Sequence, residues 1–120
     1  MPVTEFTWAA RGAEVSWKCG DIRVQRKYSA DIVAIPLRDG SGVAVVEPEA
    51  TAGPLNAVIF NCDGSERVRL VPPRPTDGNG FYDMYYVNGV LTGIVGIQGG
   101  DFALEIDEKS GQILRKYETR

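Results

Sequence analysis

Short runs of alternating apolar and polar residues, broken every few positions by Gly, Pro or Asp, extend along the whole chain. Val15, Trp17 and Cys19 fall on one side of a period-2 pattern and Glu14, Ser16 and Lys18 on the other, the signature of a half-buried strand over 13–18. The turn Arg11-Gly12 separates it from an earlier strand at 4–9. Cys19-Gly20-Asp21 then leads into 22–28, where Ile22 and Val24 alternate with Arg23, Gln25 and Lys27. Further strands are expected at 32–37 and 43–47, joined by Arg38-Asp39-Gly40-Ser41-Gly42, and at 57–61 and 67–71, joined through Cys62-Asp63-Gly64-Ser65.

From Phe81 the pattern sharpens. Phe81 to Val87 reads as a strand, and the Asn88-Gly89 that follows is a strong hairpin signal because both residues tolerate positive φ. Val90 to Gln98 is nearly all apolar, and Gly93 and Gly96 within it suggest a bulge, a bend or the close approach of another backbone. Gly99-Gly100-Asp101 turns the chain into 102–107, where Phe102, Leu104 and Ile106 face inward and Glu105 and Asp107 outward. A last strand at 112–118 makes this region a four-stranded antiparallel meander over 81–118.

No window carries an apolar stripe at helical spacing, so helix is limited to one turn within 47–54. The chain has 120 residues, room for one domain over 1–120. The expected fold is therefore all-β, with about ten short strands in a meander-rich antiparallel sandwich of two sheets or a small closed barrel. A single open sheet of that size would leave a face wet.

Two resemblances sit on short motifs. Ile35 to Ser41 lines up with Ile59 to Ser65, 24 positions on, so a strand followed by Asp-Gly-Ser is used twice. Phe102 to Leu114 resembles the strand–turn–strand module of PQQ-repeat propeller blades, over about a dozen residues. That resemblance implies a hairpin and no more, because a propeller needs at least four blades of roughly 40 residues. Gly99-Gly100-Asp101-Phe102 is similar to the signature turn of diguanylate cyclases, but Phe102 stands where that turn carries an acid. A glycine hairpin accounts for it.

Composition then removes whole classes of function. There are 13 Lys and Arg against 16 Asp and Glu, a net charge of −3, which argues against general nucleic-acid binding. The chain has no His, so Ser-His and Cys-His nucleophiles and the commonest metal ligand are absent. Met1 to Trp8 has neither a basic nor an apolar leader segment, and no stretch approaches the ~20 apolar residues of a membrane span. The expectation is a cytoplasmic protein with no membrane partner and no cofactor. In that compartment Cys19 and Cys62 are expected as reduced, buried thiols, with a single bridge between them open to an exported chain.

What chemistry remains lies in the carboxylates. Asp77, Asn79 and Asp83 have oxygens at i, i+2 and i+6, a spacing a calcium ion uses, although turn chemistry explains the same letters. Asp83 paired with Glu105 or Asp101 is the one economical catalytic device, and scattered surface acids are its plain alternative. More informative is the charge distribution. Between Arg74 and Lys109 there is no cation, while Asp77, Asp83, Asp101, Glu105, Asp107 and Glu108 supply six negatives beside Tyr82, Tyr85 and Tyr86. Strand alternation puts Tyr82, Met84 and Tyr86 on one face and Phe81, Asp83 and Tyr85 on the other.

A non-enzymatic protein-binding module follows, of the inhibitor or immunity type, which meets a basic partner such as a toxin or nuclease through an acidic, tyrosine-bearing sheet face. Its expected contact residues are Tyr82, Asp83, Tyr85, Tyr86, Asp101, Glu105, Asp107 and Glu108. The alternatives are a β-barrel enclosing an apolar or sugar-like ligand, and a structural subunit that completes a sheet through an open edge.

Overall fold

The computed structural model describes residues 1–9, 11–73, 80–97 and 100–119. Among the described residues eleven strands form three antiparallel sheets. The first runs β1 (Val3–Thr7), β2 (Glu14–Cys19) and β3 (Ile22–Lys27), in that order. The second is a meander of β4 (Val33–Pro36), β5 (Gly42–Val46), β6 (Ala57–Asn61) and β7 (Glu66–Arg69), with a single helical turn α1 (Glu49–Ala52) between β5 and β6. The third contains β8 (Phe81–Val87), β9 (Val90–Ile97), β10 (Gly100–Ile106) and β11 (Ile113–Glu118), again in meander order.

The sheets stack in three layers, with β4–β7 in the middle. Its strands explain why. Gly42-Val43-Ala44-Val45-Val46 and Ala57-Val58-Ile59-Phe60 have no polar alternation, so both faces of the sheet must be covered. Ala44, Val46, Ala57 and Ile59 point one way, into a core completed by Phe81, Met84, Leu91, Val95, Leu104 and Ile106 of the third sheet. Val43, Val45, Val58 and Phe60 point the other way, against Val15, Trp17 and Val24 of the first. Each fully buried Val, Leu or Ile side chain contributes about 1.5–3 kcal/mol.

The expected all-β sandwich is present, with a correction to its layering. Two sheets were expected, or a closed barrel; among the described residues there are three open sheets and no barrel. A two-layer reading assigns each strand one wet face, and β5 and β6 have none.

The cysteines are the second correction. Cys19 and Cys62 are bonded to each other, with Cα atoms 5.4 Å apart, and are not separate thiols. Packing of the first sheet on the second brings the end of β2 against the β6–β7 turn. There the Trp17 indole Nε1 donates to the Cys62 carbonyl at 2.7 Å.

Two polar side chains fasten the layers. Asn56, which is buried, donates to the carbonyls of Glu47 (2.9 Å) and Phe81 (2.7 Å), and its Oδ1 accepts the Phe81 N–H at 2.7 Å. It thus stands in for a strand at the entry to β8. Arg67 joins three hairpin turns: its Nε donates to Asn61 Oδ1 at 2.7 Å, Nη1 to the Glu108 carbonyl at 3.0 Å, and Nη2 to the Ser41 carbonyl at 2.9 Å. In each of the turns Asp39-Gly40-Ser41, Asp63-Gly64-Ser65 and Asp107-Glu108-Lys109 the Asp carboxylate accepts the N–H two residues on. These bonds, and at Asp63 above all the Ser65 hydroxyl that donates to the same carboxylate at 2.6 Å, hold all three carboxyls below the ordinary Asp value of 3.8.

Two outcomes follow. Closing a loop across 43 positions of sequence stabilises by about 4 kcal/mol in the chain-entropy description, so unfolding in denaturant with and without reductant should differ by up to that amount. Because the Asp values are depressed on folding, their contribution is fully present above the unfolded value and is lost as pH falls through the folded ones. Stability should therefore drop below about pH 4, and D39N·D63N·D107N should flatten that part of the pH profile. An unchanged acid limb would show that the turns do not act through charge.

Candidate functional site

The third sheet has one face on the core and one facing outward, and a bulge decides what β8 shows on each. Phe81 pairs with Val95, yet Asp83 pairs with Ile94, so one extra residue is accommodated between them. As a result Phe81 and Met84, three apart, both point into the core. Strict alternation, which expects Tyr82, Met84 and Tyr86 together, is corrected here. Tyr82 and Tyr85 are instead outward, 50% and 40% exposed, with Asp83 between them, while Tyr86 packs against the core.

Neighbouring strands complete the outward face in rows. Tyr85 lies beside Thr92, which lies beside Glu105 of β10 and then Arg115 of β11. Asp83 is followed in the same way by Ile94, Ala103 and Tyr117. Asp101 pairs with Gly96, and a Cβ at Gly96 would lie 3.9 Å from both the Asp101 carboxylate and the Tyr82 ring. Desolvation, then the nearby negative carboxylate of Asp101, push the Tyr82 phenol up to about 12.

Of the eight residues expected to act together, the structure brings five onto this face: Tyr82, Asp83, Tyr85, Asp101 and Glu105. Glu105 is offset by Arg115, whose Nη2 lies 3.0 Å away and whose guanidinium also sits 4.9 Å over the Tyr117 ring. Its charge is thus offset locally, and Asp83 and Asp101 are the other two carboxylates of this face.

The other three residues lie elsewhere. The Tyr86 hydroxyl accepts the Arg38 N–H at 3.0 Å, beneath the Arg38 guanidinium, 4.4 Å from the ring. Asp107 and Glu108 are in the β10–β11 turn, where Asp107 caps Lys109 and the Glu108 carbonyl binds Arg67. The calcium spacing cannot be followed here, because Asp77 and Asn79 lie outside the described residues. Asp83, its third member, uses Oδ1 to accept the Met84 N–H at 2.8 Å. Among the described residues no three His, Cys, Asp or Glu side chains cluster as metal ligands would, and no helix is long and apolar enough to cross a membrane.

The glycines of β9 turn out to serve two faces. At Gly93 the close neighbour is a side chain rather than a backbone: a Cβ there would meet Phe81 Cε2 at 2.7 Å and Ile106 Cδ1 at 3.3 Å. Room that an enclosed ligand would need is thus filled by the Phe81 ring. Sequence patterning also passed over Trp8, Arg11, Asp31 and Glu49, which meet at a cleft beside Tyr82 although they lie on separate segments.

The two glycines give a paired test of this placement. G93A should cost about 1–3 kcal/mol, because the Phe81 ring must move within a packed core. G96A, in ordinary contact on the outward face, should stay within about 0.5 kcal/mol of the parent. Equal losses in thermal or denaturant unfolding would mean that the faces are assigned wrongly.

Comparison with known proteins matches no family model and no curated protein. Among solved structures the chain is similar to a chain of the complex of Tne2 with Tni2, at TM-score 0.76 and 16% identity, over 94% of this chain and 82% of that one. At this identity the likeness establishes a shared fold, and that fold occurs in a chain of a two-protein complex.

Proposed function

We propose that the chain is a non-enzymatic protein-binding module of the inhibitor or immunity type, which docks a basic protein on the outward face of β8–β11. The observation that carries it is the grouping of exposed Tyr82 and Tyr85 with Asp83 and Asp101 on two strands that hold no cation. Tyrosines supply broad contact at low entropic cost, and the carboxylates steer and orient an oppositely charged partner. The match to a chain taken from a two-protein complex supports the same reading. An enclosed-ligand barrel is less favoured, since no barrel closes among the described residues.

Compartment bears on the partner. A cytoplasmic inhibitor would act with Cys19 and Cys62 reduced, and an exported one with the bond formed. Binding is therefore best assayed in both redox states.

The test is a pull-down of the tagged chain from extracts of its own cells at low and high salt, repeated with D83K·D101K. A basic protein retained at low salt, diminished at high salt and lost with the variant is the expected result. With purified partner, the variant should slow association by about tenfold or more at low salt and flatten its salt dependence. No retained partner, or retention indifferent to both salt and variant, would overturn the proposal.

A further inference from the structure

Next to the outward face, the linkers β1–β2 and β3–β4, the end of β5 and the start of β8 surround a cleft of about 410 Å³. Trp8, Ile32, Val33, Val46 and Phe81 provide apolar walls, and Tyr82 lines both the cleft and the outward face. The Trp8 indole is held in place by its Nε1, which donates to the Gly12 carbonyl at 3.3 Å.

Charged groups on the lining are Asp31, Glu47 and Glu49 against Arg11, three carboxylates to one guanidinium. Glu47 is already engaged, with Arg69 Nη1 at 2.6 Å and the Tyr28 hydroxyl at 2.9 Å. Glu49 accepts the Gly80 N–H at 3.0 Å through Oε1. Asp31 is exposed at the rim. An apolar occupant would strip water from these carboxylates without replacing it, which is costly.

We propose, building on the docking proposal above, that the cleft takes an arginine side chain of the partner protein, with its guanidinium against Trp8 and Tyr82 and between Asp31 and Glu49. Arginine suits both kinds of wall. Its methylene stem packs on apolar surface, while its planar cation stacks on aromatic rings and donates to more than one carboxylate. Lysine would bring the charge without the plane. Among the described residues the fold uses the same arginine–aromatic pairing three times: Arg26 lies 5.0 Å over Phe60, Arg38 4.4 Å over Tyr86, and Arg115 4.9 Å over Tyr117.

The experiment titrates the full chain with N-acetyl-arginine amide and with the neutral N-acetyl-citrulline amide. Tryptophan emission and indole N–H signals are followed. Trp17 is wholly buried and bonded to the Cys62 carbonyl, so a response to a small probe reports Trp8. Saturation by the arginine amide is expected with a dissociation constant on the order of 1 mM. Citrulline should bind roughly tenfold more weakly or worse. D31N·E49Q, in which Gln at position 49 keeps an acceptor for the Gly80 N–H, should abolish the response. If that double variant does not fold, D31N alone, at an exposed position, serves instead.

No saturable response to the arginine amide, or an equal response to citrulline, overturns the cleft assignment. D83K·D101K separates the two proposals, because those residues are outside the cleft. If it loses the partner while the arginine amide never binds, the docking face stands and the cleft falls. If the arginine amide binds and no partner is retained, the cleft stands as a site and the docking face falls.

Discussion

Burial of β5 and β6 on both faces is the constraint on which the rest of this molecule depends. A sheet with no wet side cannot exist without two others, and the apolar runs at Gly42–Val46 and Ala57–Phe60 create that demand. Each outer sheet then needs only one apolar face, which is why β2 and β10 can alternate while the middle strands cannot. The outer faces are the surfaces left free to vary. On the first sheet, charges of both signs face each other, with Glu5 beside Lys18 and Arg23 and Glu14 beside Lys27. On the third sheet, β8 and β10 hold tyrosines and acids with no cation, so the two ends of the stack are electrostatically unlike.

Layers held by apolar contact alone can slide, and directional bonds prevent that here. Asn56 and Arg67 each satisfy several backbone groups that would otherwise be stranded between sheets. The Asn56 amide occupies the space in which a side chain at position 80 would begin, so glycine there is a steric necessity. Its contact with Gly80 and Phe81 also fixes where the third sheet starts.

Much of the fold was legible because its signals are local. Alternation at Val15, Trp17 and Val24, the Asn88-Gly89 turn with φ of 50° and 81°, and the doubled Asp-Gly-Ser hairpins all depend on neighbours a few residues apart. What escaped was set by distance. The extra residue between Phe81 and Asp83 is chosen by the facing strand, since only opposite Val95 and Gly93 can Phe81 and Met84 both be core. The Cys19–Cys62 bond needs two turns that are brought together only when the first sheet lies on the second. The cleft draws on segments that share no pattern at all, and Arg115 reaches Glu105 from outside the cation-free window. Hence the strand map and the acidic, aromatic character of β8–β10 could be read, while the membership of the face could not.

The grip of Asn56 on Phe81 has a consequence for recognition. Tyr82 is the next residue, and Phe81 before it is held through both its N–H and its carbonyl group by a buried amide rooted beside the middle sheet. The tyrosine is thus mounted on backbone already immobilised when the molecule is alone. Under the docking proposed above, a surface built this way would meet a partner as a rigid die rather than a closing hand, with little chain freedom left to be surrendered at contact.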